Sequence, residues 1–206
     1  MDFRYVPVIL DNKKGLFEYA VVYQYWQDLI TAGLLKYRFP GAKNASIQTV
    51  ITSLYDPSYC NIAVWDTEDM RVAGECSLYF FNGRSAMMHY SVHPLYHGGK
   101  DLVMTREALQ QIFEFKMPPL GEKLTTICGL SPITNRLSIN FLKKIGFSVK
   151  CTLTDSFILA YRDNKVVDGV LVQLHREDMK EWDNSKVLTI GKRRGITPDT
   201  TLLTQI

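Results

Sequence analysis

The spacing of apolar residues changes partway along the chain. Phe17, Val21, Tyr25, Leu29 and Leu35 recur close to the 3.6-residue period of one helical face. This predicts an amphipathic helix over 17–36, ending near Gly33, where glycine suits the residue after a helix. Pro40 and Gly41 mark a turn. Ile47, Val50, Ile51 and Leu54 predict a second helix over 45–55, which Pro57 ends. The pattern then becomes strand-like. Residues 61–65 form a short apolar run, 66–69 a polar turn and 71–81 a longer strand. Asn82 and Gly83 are a hairpin signal before another strand over 86–92. Three successive strands with tight turns predict an antiparallel meander.

The second half alternates. Residues 93–100, HPLYHGGK, read as a loop leading into a helix over 101–115, whose apolar side carries Leu102, Thr105, Leu109, Ile112 and Phe113. Pro118 and Pro119 close that helix. A strand is expected over 123–129, then a helix over 134–145 with Gly146 where a C′ glycine belongs. Further strands are expected over 148–153, 157–161 and 166–174, with a turn at Asp163 and Asn164 and a short helical or irregular end over 175–182. The strand–helix–strand stretch 86–129 suits a right-handed parallel crossover. The predicted class is α/β (α+β): one mixed, mostly antiparallel sheet flanked by helices. It occupies residues 1–182, followed by a C-terminal extension over 183–206 with little periodicity.

Composition narrows the class. At 46% hydrophobic, 12% aromatic and 22% charged, the chain is not a disordered one. Its 206 residues suit one domain with an extension. A net charge of +3 is too small to indicate nucleic acid, and the run Lys192, Arg193, Arg194 reads as a solvated patch. The N-terminus lacks the apolar stretch of a signal peptide, and no window approaches a membrane span. Cys60, Cys76, Cys128 and Cys151 form no CxxC pair and fall in apolar runs, as expected of a reduced, cytoplasmic chain. His89, His93 and His97 have the spacing of a helical metal site, but Pro94 disfavours a helix there, so no metal is expected.

Candidate chemistry begins at Gly98, Gly99 and Lys100. A glycine loop entering a helix N-terminus can cradle a phosphate, because first-turn amides lack internal partners and the helix dipole favours an anion. A plain turn would have the same residues. Further on, Asn135 and Ser138 open a helix that closes on Lys144, Gly146 and Phe147, and then come Asp168, Arg176, Glu177, Asp178 and Trp182. Together with Val92, Pro94 and Tyr96, and the run Glu107, Ala108, Leu109, this order resembles the GCN5-related N-acetyltransferase (GNAT) superfamily, and within it the branch of ribosomal-protein N-terminal acetyltransferases. The similarity spans about residues 60–182.

The resemblance implies a GNAT-like fold, acetyl-CoA as co-substrate and transfer of an acetyl group to an amine of a protein, peptide or small molecule. It implies a cofactor-binding set of Val92, His97, Gly98, Gly99, Lys100 and Asn135, with Ser138 near the leaving thiol and backbone amides near 91–93 on the thioester carbonyl. His89 is the candidate base, on the same sheet side as Met87, which stands where many relatives carry glutamate. The loop departs from the family pattern: His97 replaces Arg or Gln, and Lys100 and Leu102 replace small residues. Leu142 stands where other members carry a tyrosine acid. These departures leave a second expectation: a GNAT-fold module without chemistry, such as a phage virion component, in which residues 183–206 mediate homo-oligomer or assembly contacts.

Overall fold

A computed structural model describes residues 3–8, 19–56, 58–117 and 121–179. Strand β1 (Phe3–Val8) is followed by helices α1 (Tyr19–Thr31), α2 (Leu35–Arg38) and α3 (Ile47–Tyr55). Strands β2 (Cys60–Asp66), β3 (Arg71–Asn82) and β4 (Ser85–Val92) form the meander. A short 3-10 turn (Pro94–Tyr96) leads to α4 (Lys100–Glu114). Then come β5 (Lys116–Met117), β6 (Glu122–Lys123), β7 (Thr126–Pro132), α5 (Arg136–Lys144), β8 (Ser148–Leu159) and β9 (Lys165–His175). Seven strands make one sheet in the order β1-β2-β3-β4-β7-β9-β8, and β5 pairs with β6 alone. All neighbours in the large sheet are antiparallel except β4 and β7, as the crossover predicts.

Local chemistry explains the element ends. Gly33 follows α1 at φ +65°, and Leu34 N–H reaches back to Leu29 C=O at 2.9 Å. Gly146 follows α5 at φ +102°, and Phe147 N–H donates to Leu142 C=O at 3.0 Å. Ser46 caps α3 in a reciprocal box with Thr49. Asp163 and Asn164 both take left-handed backbone in the β8–β9 connection.

Three expectations change. Residues 3–8, not predicted to be regular, form an edge strand on β2; Pro7 is tolerated there because an edge strand has one unpaired side. The strand expected over 123–129 lies at 126–132, because its register is set by parallel pairing of Thr126–Cys128 with Ser85–Met87, while Glu122 and Lys123 pair with β5. The strands expected over 148–153 and 157–161 are one strand. The polar stretch between them is an irregularity in the β8–β9 ladder, where Asp155 takes φ +50° and donates its N–H to Asp168 at 3.1 Å.

The core forms on both sheet faces. Leu109, Ile112 and Phe113 of α4 pack with Cys76, Leu78, Met88, Ile127, Val172 and Leu174 of the strands, and α5 adds Ile139, Phe141 and Leu142. Val22, Tyr25 and Leu29 of α1 pack with Val50 and Leu54 of α3 and with Val72. The four cysteines are unpaired. Among the described residues no helix is long and apolar enough to cross a membrane. Trp182, the run 192–194 and the extension 183–206 lie outside the described residues.

Candidate functional site

Strands β4 and β7 pair only at their first three residues and then separate. The divergence opens a cleft of ≈ 1170 Å³, reaching from the loop before α4, past α5, to the region of α2 and the β8–β9 connection. A parallel pair that parts mid-length exposes strand backbone groups with no ladder partner. On β4, His93 N–H donates to Ala73 C=O at 2.9 Å, on the β3 side. Strand alternation therefore turns the Val92 N–H towards the opening. Of the amides expected near 91–93, that of His93 is committed to β3 and that of Val92 is left facing the cleft.

Seven of the eight residues singled out from sequence line this one cleft: His89, Val92, His97, Gly98, Gly99, Asn135 and Ser138. Lys100 does not; it is the exposed first residue of α4. Gly98 and Gly99 take φ +98° and +119°, backbone that side-chain-bearing residues rarely adopt, which explains glycine at both. The loop amides already hold an anion. Asp101 accepts from Gly99 N–H and from Leu102 N–H, each at 2.9 Å, so a carboxylate of the chain itself sits at the N-terminus of α4. Asn135 is the N-cap of α5, its Oδ1 accepting from Ser138 N–H at 3.2 Å.

His89 sits on β4 opposite Ser77 of β3. Burial first, and then the Arg38 guanidinium, push its imidazole down to about 3, against an upward pull from Glu75. The ordinary histidine pKa near 6.5 does not apply here: His89 is neutral at pH 7 and a much weaker base than a free imidazole. The His93 ring is held by the chain itself. Its Nε2 lies 2.9 Å from Asp28 and its Nδ1 accepts from Leu95 N–H at 3.2 Å. Among the described residues no three His, Cys, Asp or Glu side chains converge on a metal position.

A buried polar cluster beside the cleft escaped the sequence reading. Glu75 of β3 is 2% exposed and its carboxylate is fully engaged. Arg38 of α2 grips both oxygens, Ser77 donates to Oε1 at 3.0 Å and the Tyr25 hydroxyl reaches Oε2 at 3.4 Å. Burial alone would raise this carboxyl; the Arg38 charge and hydrogen bonds outweigh it and hold it below the usual range. Tyr25 also meets Ser91 Oγ at 2.6 Å, tying α1 to β4. The available signal was a lone charge inside the apolar run VAGECSLYF.

No family model matches the chain, and no curated protein sequence matches it. Solved structures do. The spermidine N-acetyltransferase of Vibrio cholerae in complex with CoA and spermine superposes with a TM-score of 0.61 at 13% identity, over 87% of this chain and 98% of that one. A GNAT-family acetyltransferase of Bacillus anthracis gives a TM-score of 0.60 at 14% identity, over 78% of this chain and 92% of that one. The fold is the GNAT fold.

Proposed function

We propose that the protein is an N-acyltransferase that uses acetyl-CoA and an amine acceptor. The observation that carries this reading is the parting of β4 and β7 with the positive-φ glycines 98–99, Asn135 and Ser138 all lining the opening. The fold family supports it, since the Vibrio neighbour was solved with CoA. Loop 97–102 suits a diphosphate, because its amides converge closely enough to hold the Asp101 carboxylate. Acetyl-CoA supplies an acetyl group activated as a thioester.

The chain's own residues then divide the work. Val92 N–H donates to a carbonyl oxygen in the opening, a preorganised dipole that costs no reorganisation. As the amine nitrogen bonds the acyl carbon and the carbon–sulfur bond breaks, Ser138 Oγ–H supplies a proton to the departing sulfur and takes one back from solvent. His89, neutral at working pH, acts as a hydrogen-bond acceptor that orients the amine or a water, and the amine's proton leaves through the cleft to solvent. The ribosomal-protein branch remains part of the proposal on its motif order alone.

Calorimetric titration with acetyl-CoA tests the reading: saturable heat at or below millimolar concentration is expected, and none would refute it. In the same preparation Ser138→Ala is expected to lower turnover by about 10²-fold, the low end of acid–base contributions, with KM little changed. Unchanged turnover would remove Ser138 from the site.

A second reading rests on Asp101. Its carboxylate on the loop amides favours a GNAT-fold module that does no chemistry and serves in assembly, for instance in a phage virion, through residues 183–206. Acetyl-CoA binding decides between the two.

A further inference from the structure

The charges lining the cleft are one-sided. Arg38, Arg136, Lys144 and Arg162 line it, and among the described lining residues Asp101 is the one carboxylate. Asp101 Oδ1 is held by two loop amides. Glu75, behind the wall, has both oxygens bound by Arg38, with Ser77 and Tyr25 completing the set. Among the described lining residues, a polycationic acceptor therefore meets a single carboxylate, that of Asp101 at the glycine-loop end, and cations along the rest of the cleft.

The end of the cleft away from the glycine loop is a joined wall. Ala160 N–H donates to Pro40 C=O at 2.9 Å, locking the β8–β9 connection to the segment after α2. Tyr37 and Tyr161 meet edge to face at 5.9 Å, and the Arg162 guanidinium lies 5.7 Å from the Tyr161 ring centre. Arg38 is neutralised by Glu75, so among the described residues that line this end the uncompensated charge is that of Arg162, an exposed side chain beside the Tyr161 ring. Lys36, 5.2 Å from the centre of the Tyr37 ring, adds a second cation to the same wall. Arginine in that setting binds a carboxylate or phosphate with two parallel N–H bonds.

We propose that the acceptor is a primary amine carrying an anionic group, a carboxylate or phosphate, which Arg162 recognises at the Tyr37–Tyr161 wall, and that polyamines are excluded. The anionic group docks on the guanidinium and the uncharged remainder lies along the tyrosines. The amine then points towards His89 and Val92. This rests on the acyl-transfer reading for the role of the amine, but recognition of the anion does not depend on it.

The test titrates the full-length protein by calorimetry with aspartylglycine, with O-phosphoethanolamine and with spermidine, and separately with CoA. At least one anionic amine is expected to bind and spermidine is not. Arg162→Glu is expected to weaken that binding tenfold or more, and Arg162→Lys by less. Both substitutions fall on an exposed side chain, so folding is checked simply by an unchanged melting curve. The carboxylate and phosphate arms identify which anion is preferred. Spermidine binding more tightly than both anionic amines, or Arg162→Glu leaving their binding unchanged, overturns the proposal. CoA binding without anionic-amine binding refutes this proposal alone. Anionic-amine binding without CoA binding leaves it standing and refutes acyl transfer.

Discussion

Two side chains decide most of what is unusual about the cleft. Arg38 and Glu75 are 37 residues apart in sequence and share a buried ion pair in which the carboxylate has four donors. Removing one partner leaves the other charged and dry. Arg38→Met is therefore expected to destabilise the protein by about 3–5 kcal/mol, while Arg38→Met with Glu75→Gln recovers part of that loss. Urea unfolding of the two variants checks this, and equal stability of both would show that the pair is not coupled. Asp101 acts in the opposite direction, by occupying loop amides that a diphosphate would use. Asp101→Asn keeps a capping side chain and removes the charge, so CoA affinity is expected to rise about tenfold, or ~1.4 kcal/mol. Titration of both proteins at one ionic strength measures it.

At the level of elements, punctuation carried most of the information. Gly33, Asn82 with Gly83, Gly146, and Asp163 with Asn164 each stand where a chain reversal or helix end was predicted, and all but Asn82 take positive φ. Gly146→Ala places a side chain at φ +102°, where the new methyl makes an ordinary contact with Leu174 Cδ1 at 3.4 Å and the backbone carries the strain. Its expected cost is about 1 kcal/mol or more, read as a lowered melting temperature. Patterning failed where the partner decides. The run 154–156 looked like a break because it is polar, yet β9 carries β8 through it by accepting the Asp155 amide on Asp168. Similarly, the strand after α4 moved three residues because an apolar run does not contain its own register; pairing with Ser85–Met87 supplies it.

Across the whole molecule, pH couples to stability through the cluster behind the cleft. His89 faces Ser77 on the neighbouring strand, with Arg38 and Glu75 as the charges acting on it. Its folded pKa of about 3 lies below the ordinary 6.5, so between those values the unfolded chain binds more protons than the folded one. Stability present above pH 6.5 is therefore lost as the pH falls towards 3. Glu75 adds to the loss at the acid end, because its folded carboxyl also lies below its ordinary value. Melting temperatures at pH 7 and pH 4.5 should differ less in His89→Gln than in the parent protein. An equal difference would mean that another group controls the acid transition.

The sequence by itself determined the elements and most of their order: periodicity separated helix from strand, and glycine and asparagine marked the ends. It also contained seven residues that meet in one cleft, because motif order follows chain order and the chain crosses the cleft at β4, the α4 loop and the start of α5. Only the tertiary structure decided the charges there. Whether a histidine is a base, whether a glycine loop is open to a phosphate and whether a glutamate is available to a cation all depend on neighbours distant in sequence or on the exact path of a side chain. Burial and Arg38 weaken His89, Asp101 covers the loop, and Arg38 neutralises Glu75. Electrostatic energy depends on distance and burial, and neither is written in residue order.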